Sequence, residues 1–96
     1  MAVAVEVSFP DMTLETYHQA LERMGASPGG PHPESGCVFH CAWDAGGRVR
    51  VFDVWESQER FEQFMQSRLA DMGEELGISP PETNVIQIDT YMTAGR

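Results

Sequence analysis

Basic side chains are scarce in this chain: six stand against fifteen acidic ones, for a formal net charge of −9. With no basic patch to attract phosphates, nucleic acid and anionic membrane surfaces are excluded as partners, and the acidity reads as a solubility device. Cysteine is sparse too. Cys37 and Cys41 lie four residues apart on one predicted strand, about 13 Å at strand rise, whereas a disulfide needs Cα atoms within about 7 Å. They cannot pair with each other there. No Cys or His cluster has zinc spacing, so no metal is expected, and the three isolated histidines form no haem-ligand pattern. No apolar run approaches a membrane span. Met1–Pro10 is short and lacks the basic start and small-residue cleavage site of a secretory leader, so a reducing cytoplasm is the expected location. Phosphate loops and nucleophile elbows are missing as well, because Gly29-Gly30 and Gly46-Gly47 sit in turns.

What is present is a patterned chain of 96 residues, 42% hydrophobic, enough for one domain spanning 1–96 with a core that can fold alone. Ala2–Phe9 alternates around Val3, Val5 and Val7 and predicts a strand. Thr13 caps a helix to about Met24, with Gly25 as its stop and Leu14, Tyr17, Leu21 and Met24 as its apolar stripe. Ala26–Gly36, rich in Pro and Gly with a single His32, is a loop long enough to be functional or mobile.

Cys37–Asp44 and Arg48–Glu56 form a hairpin turned by Asp44-Ala45-Gly46-Gly47. Ser57 caps a second helix with the stripe Phe61, Phe64, Met65, Leu69, Met72 and Leu76. Gly73 is expected to interrupt it and Gly77 to end it. Pro80-Pro81 forces a break, and Asn84–Met92 is a last strand. The order β-α-β-β-α-β is the ferredoxin-like α+β arrangement: a four-stranded antiparallel sheet with two helices on one face.

The hairpin is apolar on both faces. If Trp43 pairs with Arg48, then Val38, His40, Ala42, Val49, Val51, Asp53 and Trp55 share one face. Cys37, Phe39, Cys41, Trp43, Phe52 and Val54 share the other, together with Arg48 and Arg50. Two helices cover only one set, and the remaining aromatics would expose several hundred Å² to water. A second copy packed sheet to sheet solves this, so a homodimer is expected.

With this order and with Val51-Phe52-Asp53-Val54-Trp55-Glu56-Ser57 leading into Phe61 and Phe64, the chain resembles the dimeric α+β barrel proteins. These include antibiotic-biosynthesis monooxygenases and small polyketide cyclases. The resemblance implies a pocket between sheet and helices and cofactor-free chemistry on an aromatic or polyketide-like small molecule. The motif marks how the third strand enters the second helix and carries over no catalytic residue.

His40 and Asp53 are the candidate catalytic pair. In the register above they are diagonal neighbours on one face, within reach of each other. A carboxylate on one imidazole nitrogen would fix the tautomer and leave the other free to take a proton from a phenol or an activated CH₂. The anion formed would react with O₂ (monooxygenation) or close a ring (cyclisation). Tyr17, Trp55 and Arg68 are the candidate substrate-binding residues: a hydroxyl under the first helix, an aromatic wall, and a partner for a carboxylate or phenolate. The alternatives are a non-catalytic small-molecule-binding dimer of the same fold, a His–Asp pair that satisfies only itself, a Trp55 that simply packs, and an Arg68 that snorkels outward.

Overall fold

A computed structural model describes residues 1–93, so the last three residues of the expected domain lie outside the described part. The chain runs β1 (Val3–Ser8), α1 (Leu14–Met24), β2 (Cys37–Asp44), β3 (Val49–Trp55), α2 (Gln58–Phe64), a π-helical turn (Met65–Leu69), α3 (Ala70–Leu76) and β4 (Glu82–Gln87). The four strands form one antiparallel sheet in the order β2-β3-β1-β4, the ferredoxin-like topology. No helix among the described residues is long and apolar enough to cross a membrane.

The two helical regions start where hydroxyl caps satisfy first-turn amides. Thr13 accepts from Thr16 N, and Ser57 accepts from Arg60 N, both at 3.2 Å. Such caps are worth about 1 kcal/mol each. Gly25 closes α1 in the left-handed region at φ 73°, and Ala26 N reaches back to Leu21 O.

Alternation decides the layers. Val3, Val5 and Val7 of β1 face Trp55, Asp53 and Val51 of β3 and carry the core with Phe9, Met12, Val49 and Phe61. Tyr17, Phe64, Met65 and Leu69 of the helical layer pack onto this side. Leu14, expected on the α1 stripe, is 39% exposed, and Ala20 takes the buried place instead.

The opposite face is open. Phe39, Trp43 and Ile86 are 50%, 45% and 42% exposed, and Phe39 meets Phe52 edge to face at 6.5 Å.

Four details correct the expectation. Trp43 pairs with Arg50 rather than Arg48. The Asp44 carboxylate accepts Gly47 N–H at 2.8 Å, which keeps Asp44 at the end of β2 and moves the turn one residue on. A slip of two residues preserves the faces, so the inner set is still inner. A bulge between Cys37 and Phe39 sets Cys37 opposite Trp55, among the core contacts rather than on the outer face. The second helical region breaks its regularity at 65–69, not at Gly73. Gly73 is helical, and its carbonyl accepts Ile78 N, an approach that an added Cβ would crowd at 3.3 Å from Ile78 O. Finally, β4 starts two residues earlier and ends five earlier than Asn84–Met92.

Candidate functional site

A cavity of about 660 Å³ lies between the sheet and the helical layer. Its apolar wall includes Leu21, Val51, Phe61, Phe64, Met65 and Leu69, and its polar groups include Tyr17, His32, His40 and Asp53. The π-helical turn supplies Met65 and Leu69 to this wall, in keeping with the habit of such turns to occur at functional sites.

His40 and Asp53 stand directly opposite each other across β2 and β3, not diagonally. His40 Nδ1 lies 2.6 Å from Asp53 Oδ1, and Asp53 is 4% exposed. Its second oxygen accepts from Trp55 Nε1 at 3.1 Å, two residues along the same face. The other imidazole nitrogen is already engaged: Tyr17 Oη lies 2.6 Å from His40 Nε2. α1 therefore completes a chain from Tyr17 through His40 to Asp53 and Trp55.

The protonation of this chain follows from its acceptors. A carboxylate at Nδ1 selects the tautomer with Nδ1–H, leaving Nε2 to accept. Burial first, then the Asp53 charge and Cys41, push the Tyr17 phenol from 10.0 up to about 12. Tyr17 is thus a neutral phenol that donates to His40.

Cys37, moved inward by the bulge, is likewise pushed by burial and by Asp53 from 9.0 to about 12. Both groups are acids held neutral by the fold. The unfolded chain loses these protons from about pH 9 upward while the folded chain keeps them to about 12, so it binds fewer protons in that window. The urea midpoint is expected to be flat near neutrality and to fall as pH rises from about 9 to 12. Replacing Tyr17 by Phe and Cys37 by Ser together should flatten that slope, and an unchanged slope would refute the assignment.

The remaining expected site residues lie elsewhere. Trp55 is 1% exposed and sits in the core beneath Asp53 rather than on the cavity wall. Arg68 does not line the cavity. Its Nη1 lies 3.2 Å from Glu34 Oε1, an ion pair with the 26–36 loop without hydrogen-bond alignment.

That loop brings a residue which the sequence did not single out for the site. His32 rests edgewise on His40, Trp55 and Phe64, with ring centroids 5.5, 5.8 and 6.0 Å away. A lone histidine in a Pro/Gly-rich loop was its only signal. His18 lines the rim and remains exposed. Among the described residues, no group of three or more His, Cys, Asp or Glu side chains converges to hold a metal ion.

No protein-family model matches the chain, and no curated protein sequence does. Solved structures do match over nearly its whole length. Rv0793 of Mycobacterium tuberculosis has a TM-score of 0.66 at 18% identity, covering 97% of this chain and 100% of that one. The monooxygenase ActVA-Orf6 of Streptomyces coelicolor, solved with nanaomycin D, gives 0.62 at 17% identity over 98% and 93%. SnoaB of Streptomyces nogalater, a cofactor-independent oxygenase, gives 0.58 at 12% identity over 97% and 96%. The chain shares the ferredoxin-like fold of antibiotic-biosynthesis-monooxygenase-like proteins, and at these identities the likeness establishes the fold.

Proposed function

We propose that the chain is a small cofactor-independent monooxygenase acting on an aromatic, polyketide-like molecule held in this cavity. The observation that carries the reading is the Tyr17–His40–Asp53 chain opening onto an apolar chamber. The substrate's phenol or activated CH₂ gives its proton to Tyr17 Oη as Tyr17 passes its own to His40 Nε2. His40 keeps Nδ1–H on Asp53, whose charge stabilises the imidazolium. Tyr17 never stands as a tyrosinate, which agrees with its elevated pKa.

For an anthrone, the resulting carbanion adds O₂ at carbon to form a peroxide. The imidazolium returns its proton through Tyr17 to the distal oxygen. Loss of the second C–H proton then breaks the O–O bond, giving a quinone carbonyl and water: C₁₄H₁₀O + O₂ → C₁₄H₈O₂ + H₂O. SnoaB, of the same fold, is a cofactor-independent oxygenase, and the monooxygenase ActVA-Orf6 was solved with nanaomycin D; both support the reading.

We further propose a homodimer formed through the open sheet face, a second copy being the economical cover for Phe39, Trp43 and Ile86. A reducing cytoplasm suits the free thiols of Cys37 and Cys41.

Dithranol oxidation followed with an oxygen electrode tests the activity. Purified protein should consume one O₂ per quinone formed, and Tyr17→Phe should slow this by about 10²–10⁴-fold. Quinone formation no faster than in buffer would sink the proposal. Ring closure without O₂ uptake, on a substrate bearing a second carbonyl, would instead indicate cyclisation from the same anion. A second reading, a binding dimer without turnover, draws on the contact that already occupies His40 Nε2. Tight binding of alizarin, a phenolic anthraquinone dye, with no oxygen uptake on dithranol would select it.

A further inference from the structure

The relay removes a proton and leaves an anion in a largely apolar cavity. An oxyanion there needs fixed donors, because the largely apolar walls offer it few partners. Tyr17 is one. The geometry points to a second: we infer that His32 is a catalytic residue whose Nε2–H donates to the oxygen that becomes anionic in a phenol or enol substrate. This inference rests on the deprotonation proposed above and names the chemical class that the site takes, a hydroxyl-bearing aromatic or enol.

The tautomer of His32 is set by covalent structure. Glu34 N–H points to His32 Nδ1 at 3.0 Å, and a backbone amide can only donate. Nδ1 must therefore be a bare acceptor, and the ring proton sits on Nε2. Among the described residues, no hydrogen bond takes up that Nε2–H.

Ring position is fixed as well. The imidazole lines the cavity and is wedged edgewise against His40, Trp55 and Phe64. The loop that carries it is tied twice to the second helical region, by Arg68 to Glu34 and by Arg60 Nη1 to Ser35 Oγ at 3.1 Å. At its end, Gly36 adopts φ 102°, and a Cβ there would meet Arg60 Cβ and Cγ at 3.1 Å. The donor is thus held before any ligand arrives, as electrostatic stabilisation requires.

Burial first, and the neighbouring His40, hold the His32 pKa below its ordinary 6.5. The ring is neutral at pH 7 and donates a hydrogen bond without surrendering its proton to the anion. This separates two roles often given to one histidine: His40 takes the proton, and His32 holds the charge left behind.

Alizarin, a phenolic anthraquinone whose visible band shifts on ionisation, is a suitable probe. Bound to the parent protein it should ionise at lower pH than in water. In His32→Phe, which keeps an aromatic ring but no donor, the midpoint of the bound dye should rise by about one to two units, roughly ten- to hundredfold against the anion. Affinity for the neutral dye, measured below the midpoint, should change less than about threefold, since ring packing is retained. His32→Gln, which places an N–H near the position of Nε2, should recover part of the shift. Circular dichroism and urea midpoints check that each variant folds.

An unmoved midpoint in a folded His32→Phe overturns the inference. So does equal loss of neutral and ionised dye, which would make His32 a packing residue. A parent protein that binds no dye overturns both this inference and the cavity reading above. If the His32 shift appears while dithranol oxidation stays at the rate in buffer, the donor stands and the oxygenase reading falls.

Discussion

Asp53→Asn is expected to leave the protein folded and to lower turnover by about 10²–10⁴-fold, the usual range for losing a general base. The asymmetry comes from counting acceptors. Asp53 offers one oxygen to His40 Nδ1 and the other to Trp55 Nε1. Asparagine offers one oxygen only. Trp55 Nε1–H, buried and with no other acceptor among the described residues, claims that oxygen. The Asn amide N–H then faces His40 Nδ1, which accepts it by moving the ring proton to Nε2. The Trp55 and His40 ring nitrogens all keep a partner, with Nε2–H now donating to Tyr17 Oη, so the stability cost should be about 1 kcal/mol. Yet Nε2–H can no longer accept from Tyr17, and the relay stops at its second member.

Asp53→Leu is the necessary companion. It removes both acceptors and orphans two donors, each costing roughly 1–3 kcal/mol when buried. The Trp55 donor suffers in full. His40, with a side chain 22% exposed, recovers part of its loss from water, so a total of about 2–4 kcal/mol is expected. That is a large share of the roughly 5–15 kcal/mol that holds a domain together. Urea unfolding and dithranol turnover measured on both variants separate a structural polar pair from a working one. If Asp53→Asn keeps turnover within a few-fold, His40 is not the base.

The path from sequence to site shows which facts are local and which are not. The faces of His40 and Asp53 were legible because strand alternation survives a slip of two residues. Their direct pairing was not, because it depended on Asp44 holding Gly47 and so setting the turn. The Trp55 contact with Asp53 spans two residues on one strand face, and alternation alone allowed it. Tyr17 was legible as an inward-facing helical residue. That its hydroxyl meets His40 depends on where α1 settles across the sheet, 23 residues from its partner. The π-helical turn leaves no mark in the stripe of Phe61, Phe64, Met65 and Leu69, since one extra backbone residue shifts the phase without changing composition. His32 lay deepest of all. Nothing periodic governs a Pro/Gly-rich loop, and its place in the site depends on arginines from a later helical region. Arg68 accordingly ties the loop down and meets no ligand-facing wall.

The second large effect concerns the open face of the sheet. Phe39→Glu is expected to turn a dimer at micromolar concentration into a monomer, read by light scattering, with the dissociation constant weakened by about 10³-fold. Phe39 stands opposite Val54, so the new charge meets no cation across the strands. A two-fold interface repeats every substitution, so one change buries two carboxylates. At roughly 2 kcal/mol or more for each unpaired buried charge, the sum of about 4 kcal/mol or more is comparable to the 4.1 kcal/mol or so that separates a thousandfold in affinity.

The site of the substitution matters. The apolar patch lies on β2 and β3, where Phe39, Trp43 and Phe52 gather. At the Trp43 end the same face carries Arg50, opposite Trp43 and bonded to Ser8, and towards β4 it carries Glu6 bonded to Asn84. Charge placed at Phe39 therefore strikes the apolar part of the proposed contact, whereas Glu6→Gln should leave the mass unchanged. Salt offers an independent check. Each chain carries −9, so association must overcome mutual repulsion that reaches about 30 Å at 0.01 M ionic strength and about 8 Å at 0.15 M. The parent dimer should tighten as salt rises, opposite to a contact held by ion pairs. A parent protein with monomer mass at every salt concentration would remove the dimer and leave Phe39 and Trp43 without a cover.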